Sequence, residues 1–179
     1  IRDHNEESVT IIKNLKGETL MVVADGMGGH RAGEVASSMV VTHLGTRFAS
    51  LSSIGSKIDA FNWLKSNINE VNGEIIKYGE RNVDASGLGT TVVVAILTDE
   101  FLIFGNIGDS SGYVLKKGIL HQVTKPHTLV NLLVAAGDLS PEEALHHPKK
   151  NVLMRALGTS ETAELDVFDV EISVDGILL

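Results

Sequence analysis

The two long helical periodicities of this chain are consecutive, and the apolar, β-branched runs resume only after both have ended. Val35, Ala36, Met39, Val40, Leu44 and Phe48 recur at the three-and-four spacing of an amphipathic helix that begins near Ala32. Phe61, Leu64, Ile68, Val71 and Ile75 repeat that spacing behind Ser56, a good N-cap, with Gly73 inside the helix at a cost of about 1 kcal/mol against alanine. Before them, 18–25 reads ETLMVVAD, a short valine-rich strand ending in an acid. After them come strands at 90–97 and 101–106, joined by the hairpin-length link Thr98-Asp99-Glu100. A second hairpin is expected from 112–115 and 119–123 around Lys116-Lys117-Gly118. A short helix over about 127–136 stops at Gly137, and Ser140-Pro141-Glu142-Glu143 is a capping box with proline at the first helical position, opening a helix that ends before Pro148. The stretch 165–174 reads as a strand, and another starts at Ile177. Without regular strand–helix alternation a doubly wound parallel sheet is disfavoured, and the pattern predicts one α+β domain of mainly antiparallel sheet with helices packed on it.

Bulk properties narrow the function classes. A chain of 179 residues, 43% hydrophobic and 21% charged, can bury a real core. Its net charge of −8 argues against general binding to nucleic acid or anionic membrane, which would repel it. The absence of cysteine excludes disulfides, thiolate zinc sites and a cysteine nucleophile, and suits a reducing cytoplasmic compartment. No apolar run reaches the roughly 20 residues that span a bilayer, and no signal peptide is visible. The chain opens on Ile1-Arg2 and closes on Ile177-Leu178-Leu179, so both ends are expected to be cut.

The chemistry concentrates in ADGMGGHRAGEVAS, 24–37. A carboxylate at the end of a buried strand is costly unless it is paired or binds a cation. Gly26, Gly28 and Gly29 follow it and allow backbone to approach a ligand closely. Taken alone, Asp25-Gly26 also fits a simple strand–turn–helix corner. Three further segments accompany it: Arg2-Asp3-His4-Asn5-Glu6-Glu7-Ser8, Ser86-Gly87-Leu88-Gly89-Thr90-Thr91 and Asn106-Ile107-Gly108-Asp109-Ser110. Their order and separation, with the later AAGDLSPEEALHHP and RALGT runs, resemble bacterial type 2C metal-dependent serine/threonine protein phosphatases over nearly the whole chain.

That resemblance implies two stacked, mainly antiparallel β-sheets flanked by helices, a four-layer αββα sandwich. It implies two Mn²⁺ or Mg²⁺ ions, with a third in some members, and hydrolysis of phosphoserine and phosphothreonine in proteins by a metal-bridging water or hydroxide. Hard cations of this kind take oxygen ligands and can activate water between them. By the same resemblance Asp25 is the carboxylate bridging the metals, Gly26 ligates through its carbonyl, Glu7 is a further metal ligand and Asp109 belongs to the third, weaker site. Arg2 is the expected substrate-phosphate arginine, whose planar guanidinium offers paired donors. His30 is the candidate general acid, against the common structural role of a loop histidine. The segment 126–151 resembles a flap that selects substrates. His146 and His147 are adjacent on a helix and do not share a face, so they are not expected to form a joint metal site. The implied partners are phosphorylated proteins, substrates of a serine/threonine kinase in bacterial signalling; a monomer is the expected state.

Four departures from the family pattern stand out. Glu7 replaces an aspartate and reaches about 1.5 Å further. Ser111 replaces an arginine, and Pro126 replaces an aspartate before His127. Asp175-Gly176 mimics the last metal-binding pair, but by register Asp175 belongs to the turn before the strand from Ile177, which places the true ligand past Leu179. These departures keep two other readings open: a catalytically impaired phosphoprotein-binding or regulatory domain on the same fold, and a metal-dependent hydrolase of small phosphate esters.

Overall fold

A nine-residue strand, β2 (Thr19–Met27), alternates strictly between a buried and a half-buried side. Leu20, Val22 and Ala24 point one way; Met21, Val23 and Asp25 point the other. The computed structural model describes residues 5–28, 32–85 and 87–179. In it β2 lies between β1 (Glu7–Lys13) and β4 (Val92–Leu97), antiparallel to both, and the sheet continues through β5 (Leu102–Ile107) to β8 (Asp166–Val170). The short β3 (Gly89–Thr90) pairs the far end of β2. A second, three-stranded sheet is ordered β7 (Ile119–Gln122), β6 (Tyr113–Lys116), β9 (Gly176–Leu178).

The long helices α1 (Ala32–Ala49) and α2 (Lys57–Arg81) cover the Leu20–Val22–Ala24 side. Ala36, Val40, Leu44 and Phe48 of α1 and Leu64, Ile68 and Ile75 of α2 are fully buried there with Val94, Ile96 and Ile103. Removing each large side chain from water contributes about 1.5–3 kcal/mol. Phe48 meets Trp63 edge to face at 5.7 Å, fixing the two helices against each other. The sheet's other side forms a second cluster, in which Ala95, Leu102 and Phe104 pack with Val114 and Ile177 of the smaller sheet and with Leu179 just after it. The stacked-sheet expectation is therefore met, with long helices on the outer side of the larger sheet. The continuous run VVVAIL of β4 reflects burial on both faces.

Local rules set most boundaries. Ser56 and Asp59 form a reciprocal capping box at α2, and Ser140 with Glu143 does the same at α4 (Pro141–His146). Helix α3 (Leu129–Ala136) starts two residues later than expected because Thr128 caps it, and it ends at Gly137. The β6–β7 turn is two residues, not three: Lys116 pairs with Ile119, and Lys117 and Gly118 take φ of 51° and 76°, the primed hairpin geometry. Strand β8 is shorter than the expected 165–174, since Asp175 already bonds to Leu115 of the other sheet. Strand β1 lay outside the expected set. Its Val9 and Ile11 are exposed, so it lacks the buried-run signature of β4 and β5.

The end of β2 and the start of α1 touch through backbone alone. A β-carbon on Gly26 would lie 2.0 Å from the Gly33 carbonyl oxygen, and one on Gly33 would lie 2.8 Å from the Gly26 carbonyl carbon. Both positions need glycine for this approach. Gly73 differs: a β-carbon there meets nothing within 4 Å.

At the opposite end of the sheet, the buried carboxylate of Glu18 accepts from Asn14 Nδ2 at 2.6 Å and from the Ile54 amide at 2.7 Å, tying the β1–β2 turn to the α1–α2 link. Burial alone would raise its pKa; the bonds from Asn14, Ile54 and Ser53, with Lys16 nearby, outweigh it and hold the group below the usual carboxylate value.

Gly26→Ala should lose about 1–3 kcal/mol to steric conflict, whereas Gly73→Ala should gain about 0.5–1 kcal/mol. Thermal unfolding of both in the presence of chelator checks this; equal midpoints would refute the backbone-contact account. Because the folded pKa of Glu18 is depressed, its stabilisation is complete above the unfolded-state value of about 4.3 and is lost as pH falls through the folded value. Glu18→Gln should therefore cost about 1–3 kcal/mol at neutral pH, and the gap to the parent should close on acidification. Urea unfolding from pH 7 down to pH 3 measures it, and a pH-independent gap would contradict the charge-based account.

Candidate active site

The sheet end that carries Asp25 is built by backbone bonds from three directions. The β1–β2 register sets Glu7 directly opposite Asp25, and directly paired residues of an antiparallel ladder project to the same face. Glu7 is exposed and Asp25 half-buried, on the side away from α1. On that other side Ser8 Oγ meets Ser37 Oγ of α1 at 2.9 Å. The Gly26 amide donates to the Glu6 carbonyl at 3.0 Å, and Ser37 Oγ donates to the same carbonyl at 2.7 Å, so the start of β1, the end of β2 and the first turns of α1 share one acceptor.

The other flank comes from the strand entry after α2. The Asp25 amide donates to Thr91 Oγ1 at 3.1 Å, while its carbonyl accepts from the Thr91 amide at 2.9 Å and from Thr90 Oγ1 at 3.0 Å. With both main-chain groups fixed, the direction of the Asp25 side chain is set by the ladder. Thr91 Oγ1 also lies 2.6 Å from Ser110 Oγ, which laces the loop after β5, Gly108-Asp109-Ser110, to the same sheet end.

Of the sequence-predicted site residues, Glu7 and Asp25 share a rung of β1 and β2, and Gly26, next to Asp25, bonds through its amide to the Glu6 carbonyl. Asp109 is exposed in the loop after β5, linked to Asp25 through Ser110 and Thr91. Arg2 and His30 lie outside the described residues. Asp175 sits elsewhere, its Oδ2 accepting from the Lys117 amide at 2.6 Å in the β6–β7 turn, in accord with a turn role. His146 ends α4, and His147 Nδ1 accepts from the Lys149 amide, so the His147 ring serves local backbone. Sequence reasoning did not single out Glu6, Thr91 or Ser110 as supports; their hydroxyls and carbonyl acquire roles only through pairing across 19 to 66 residues.

The charged donors at this end are carboxylate oxygens, the chemistry that suits Mg²⁺ or Mn²⁺ rather than zinc or copper. Among the described residues no three histidine or acidic side chains converge on one point. The like-charged Glu7 and Asp25 face each other across one rung, an arrangement that destabilises a ladder and that a divalent cation relieves. The cradle fits the ions the motif implies.

A groove of about 550 Å³ lies between the β7–α3 segment and α3, lined by Lys125, Pro126, His127, Leu132, Met154 and Arg155 among others, and its His127 bonds to Gly108 beside Asp109. Much of its lining comes from the segment 126–151, whose helices α3 and α4 expose Leu132 and Leu145.

Known proteins agree with this architecture. The family model for protein phosphatase 2C matches residues 3–155. A serine/threonine phosphatase, stp, of Listeria monocytogenes is 41% identical over 179 residues, covering all of this chain and 71% of its own length. The protein phosphatase PhpP of Streptococcus pneumoniae is 37% identical over 169 residues, 92% of this chain and 66% of its own. Among solved structures, the serine/threonine phosphatase Stp1 from Staphylococcus aureus superposes with a TM-score of 0.86 at 37% identity, over 94% of this chain and 67% of that one. The catalytic domain of the phosphatase PstP in complex with two manganese ions gives 0.75 at 34% identity, over 96% and 68%. On the strength of the matched residues, the identities and the shared two-sheet fold, this chain belongs to the protein phosphatase 2C family.

Proposed function

We propose that this domain hydrolyses phosphoserine and phosphothreonine in proteins, with divalent metal held at the Glu7–Asp25 end of the larger sheet. The observation that carries the reading is the pairing of two carboxylates on one rung of β1 and β2, next to a glycine whose backbone is packed against α1. Asp25, the Gly26 carbonyl and Glu7 would hold a pair of ions, and Asp109 would hold a third, weaker one. The ions are Mn²⁺ or Mg²⁺, whose chemistry when bound is to lower the pKa of the attacking water and to neutralise charge on the phosphoryl oxygens. Thr91 and Thr90 keep Asp25 in place, so no reorganisation of that carboxylate is needed during turnover. Arg2 orients the phosphate through paired donors, and His30 gives a proton to the departing seryl or threonyl oxygen. Segment 126–151 borders the site and selects among phosphoproteins by the side chains flanking the phosphorylated residue. The domain acts as a monomer on targets of a serine/threonine kinase in the cytoplasm, a compartment that its cysteine-free composition suits.

The test is a phosphothreonine-peptide assay with Mn²⁺ titration. Activity should require added Mn²⁺ or Mg²⁺ and vanish in excess chelator. Asp25→Asn should lower kcat/KM by roughly 10³-fold, about 4 kcal/mol of transition-state stabilisation, while the metal-free thermal midpoint moves by only a few degrees. Full turnover in chelator, or an Asp25→Asn variant as active as the parent, refutes the metal-dependent reading. Phosphopeptide binding without turnover at any metal concentration identifies a binding domain instead.

A further inference from the structure

His127 is a side chain more than nine-tenths buried at the end of the β7–α3 connection. It grips one residue of the neighbouring loop from both sides. The Gly108 amide donates to His127 Nδ1 at 3.0 Å, and the His127 amide donates to the Gly108 carbonyl at 2.8 Å. Gly108 is the residue immediately before Asp109. Its φ is +107°, and a β-carbon there would meet Thr91 Cβ at 2.7 Å, so the loop holds a shape open only to glycine and needs restraint from outside.

A backbone N–H only donates. Nδ1 is therefore the acceptor, and the ring proton resides on Nε2. Nε2 lies 2.7 Å from Asp166 Oδ2, which accepts that proton's hydrogen bond and fixes the ring plane and tautomer. Arg155 Nη1 comes within 3.5 Å of Nε2, but both atoms carry hydrogen, so no bond joins them; the guanidinium is held by Asp166 Oδ1 at 3.2 Å and Glu164 at 3.3 Å. Asp166 in turn stands opposite Asn106 on the β5–β8 ladder, and Asn106 Nδ2 donates to the Gly108 carbonyl at 3.2 Å. The chain of contacts runs from strand β8 through Asp166 and His127 to the backbone that aims Asp109.

We propose that His127 is a positioning residue for Asp109: by accepting the Gly108 amide at Nδ1 it holds the loop so that the Asp109 carboxylate is preorganised for a divalent cation, touching neither cation nor substrate itself. This rests on the reading of Asp109 as a metal-binding residue. Groups that orient a metal-binding loop without ligating typically change metal affinity by about 10–100-fold when removed.

Two substitutions separate this from general packing. In His127→Asn the amide oxygen takes the place of Nδ1; in His127→Gln the amide takes the place of Nε2 and nothing replaces the Nδ1 acceptor. Mn²⁺ binding is measured by calorimetry, the Gly108 amide by hydrogen exchange in NMR, and turnover of a phosphothreonine peptide as a function of Mn²⁺. His127→Asn should keep Gly108 protected, with half-saturating Mn²⁺ within about threefold of the parent. His127→Gln should speed Gly108 exchange by more than tenfold and raise half-saturating Mn²⁺ by about tenfold, with kcat recovered at saturating metal. In an Asp109→Ala background, His127→Gln should add no further loss of Mn²⁺ affinity. Equal behaviour of the two variants, or a further tenfold loss in the Asp109→Ala background, overturns the proposal. Should His127→Gln fail to fold, His127→Asn decides alone: a tenfold loss of Mn²⁺ affinity with the acceptor kept sinks it. A parent protein that neither binds Mn²⁺ nor turns over the peptide refutes the phosphatase reading instead, while Gly108 exchange still reports whether His127 restrains the loop.

Discussion

Everything at the Asp25 end of the larger sheet depends on β2 being paired on both sides up to its last residues. The ladder to β1 runs from Lys13 opposite Thr19 to Glu7 opposite Asp25, and the ladder to β4 hands over to Thr91 at the same height. A strand bonded on both edges cannot slip by one residue without moving its entire hydrophobic set to the wrong face. Leu20, Val22 and Ala24 are committed to the helical core, so Asp25 is committed to the opposite face. The carboxylate's direction is thus fixed by hydrophobic burial up to five residues away.

The same alternation explains how an acidic rung survives. Glu7 and Asp25 repel across the ladder, yet Glu7 is exposed and Asp25 only half-buried, which keeps their desolvation cost low. The buried face at this height is instead occupied by backbone: Gly26 against Gly33, and Ser37 reaching the Glu6 carbonyl. Helix α1 can start this close only because both contact residues lack side chains. This end of the sheet therefore has a solvated charged face and a hard packed back.

Much of the fold was legible from local pattern. Ser56 with Asp59, Ser140 with Glu143, and Gly137 after α3 mark helix ends by chemistry contained within a few residues. Asp25 and Gly26 were legible as a strand end followed by glycines, and Asp109 as an acid after a strand and a glycine. Strand β1 was not, because Val9 and Ile11 are exposed and its pattern competes with the acidic motif it begins in. The clasp of Gly108 by His127 was invisible as well: it needs Asp166, 39 residues further on, which arrives only through the β5–β8 ladder.

The sequence by itself determined that two adjoining amphipathic helices interrupt an antiparallel set of strands, and that an acid–glycine pair closes the strand before them. Periodicity and capping are properties of neighbouring residues, so they are written in the order of the chain. Only the tertiary structure decided that Glu7 stands on the same rung as Asp25, that Thr91 and Ser110 join the Asp109 loop to that rung, and that His127, bonded to Asp166, accepts from the Gly108 amide of that loop. Register between strands far apart in sequence is set by which combination of faces buries the most apolar surface while satisfying every backbone group. That sum runs over the whole molecule and has no local signature.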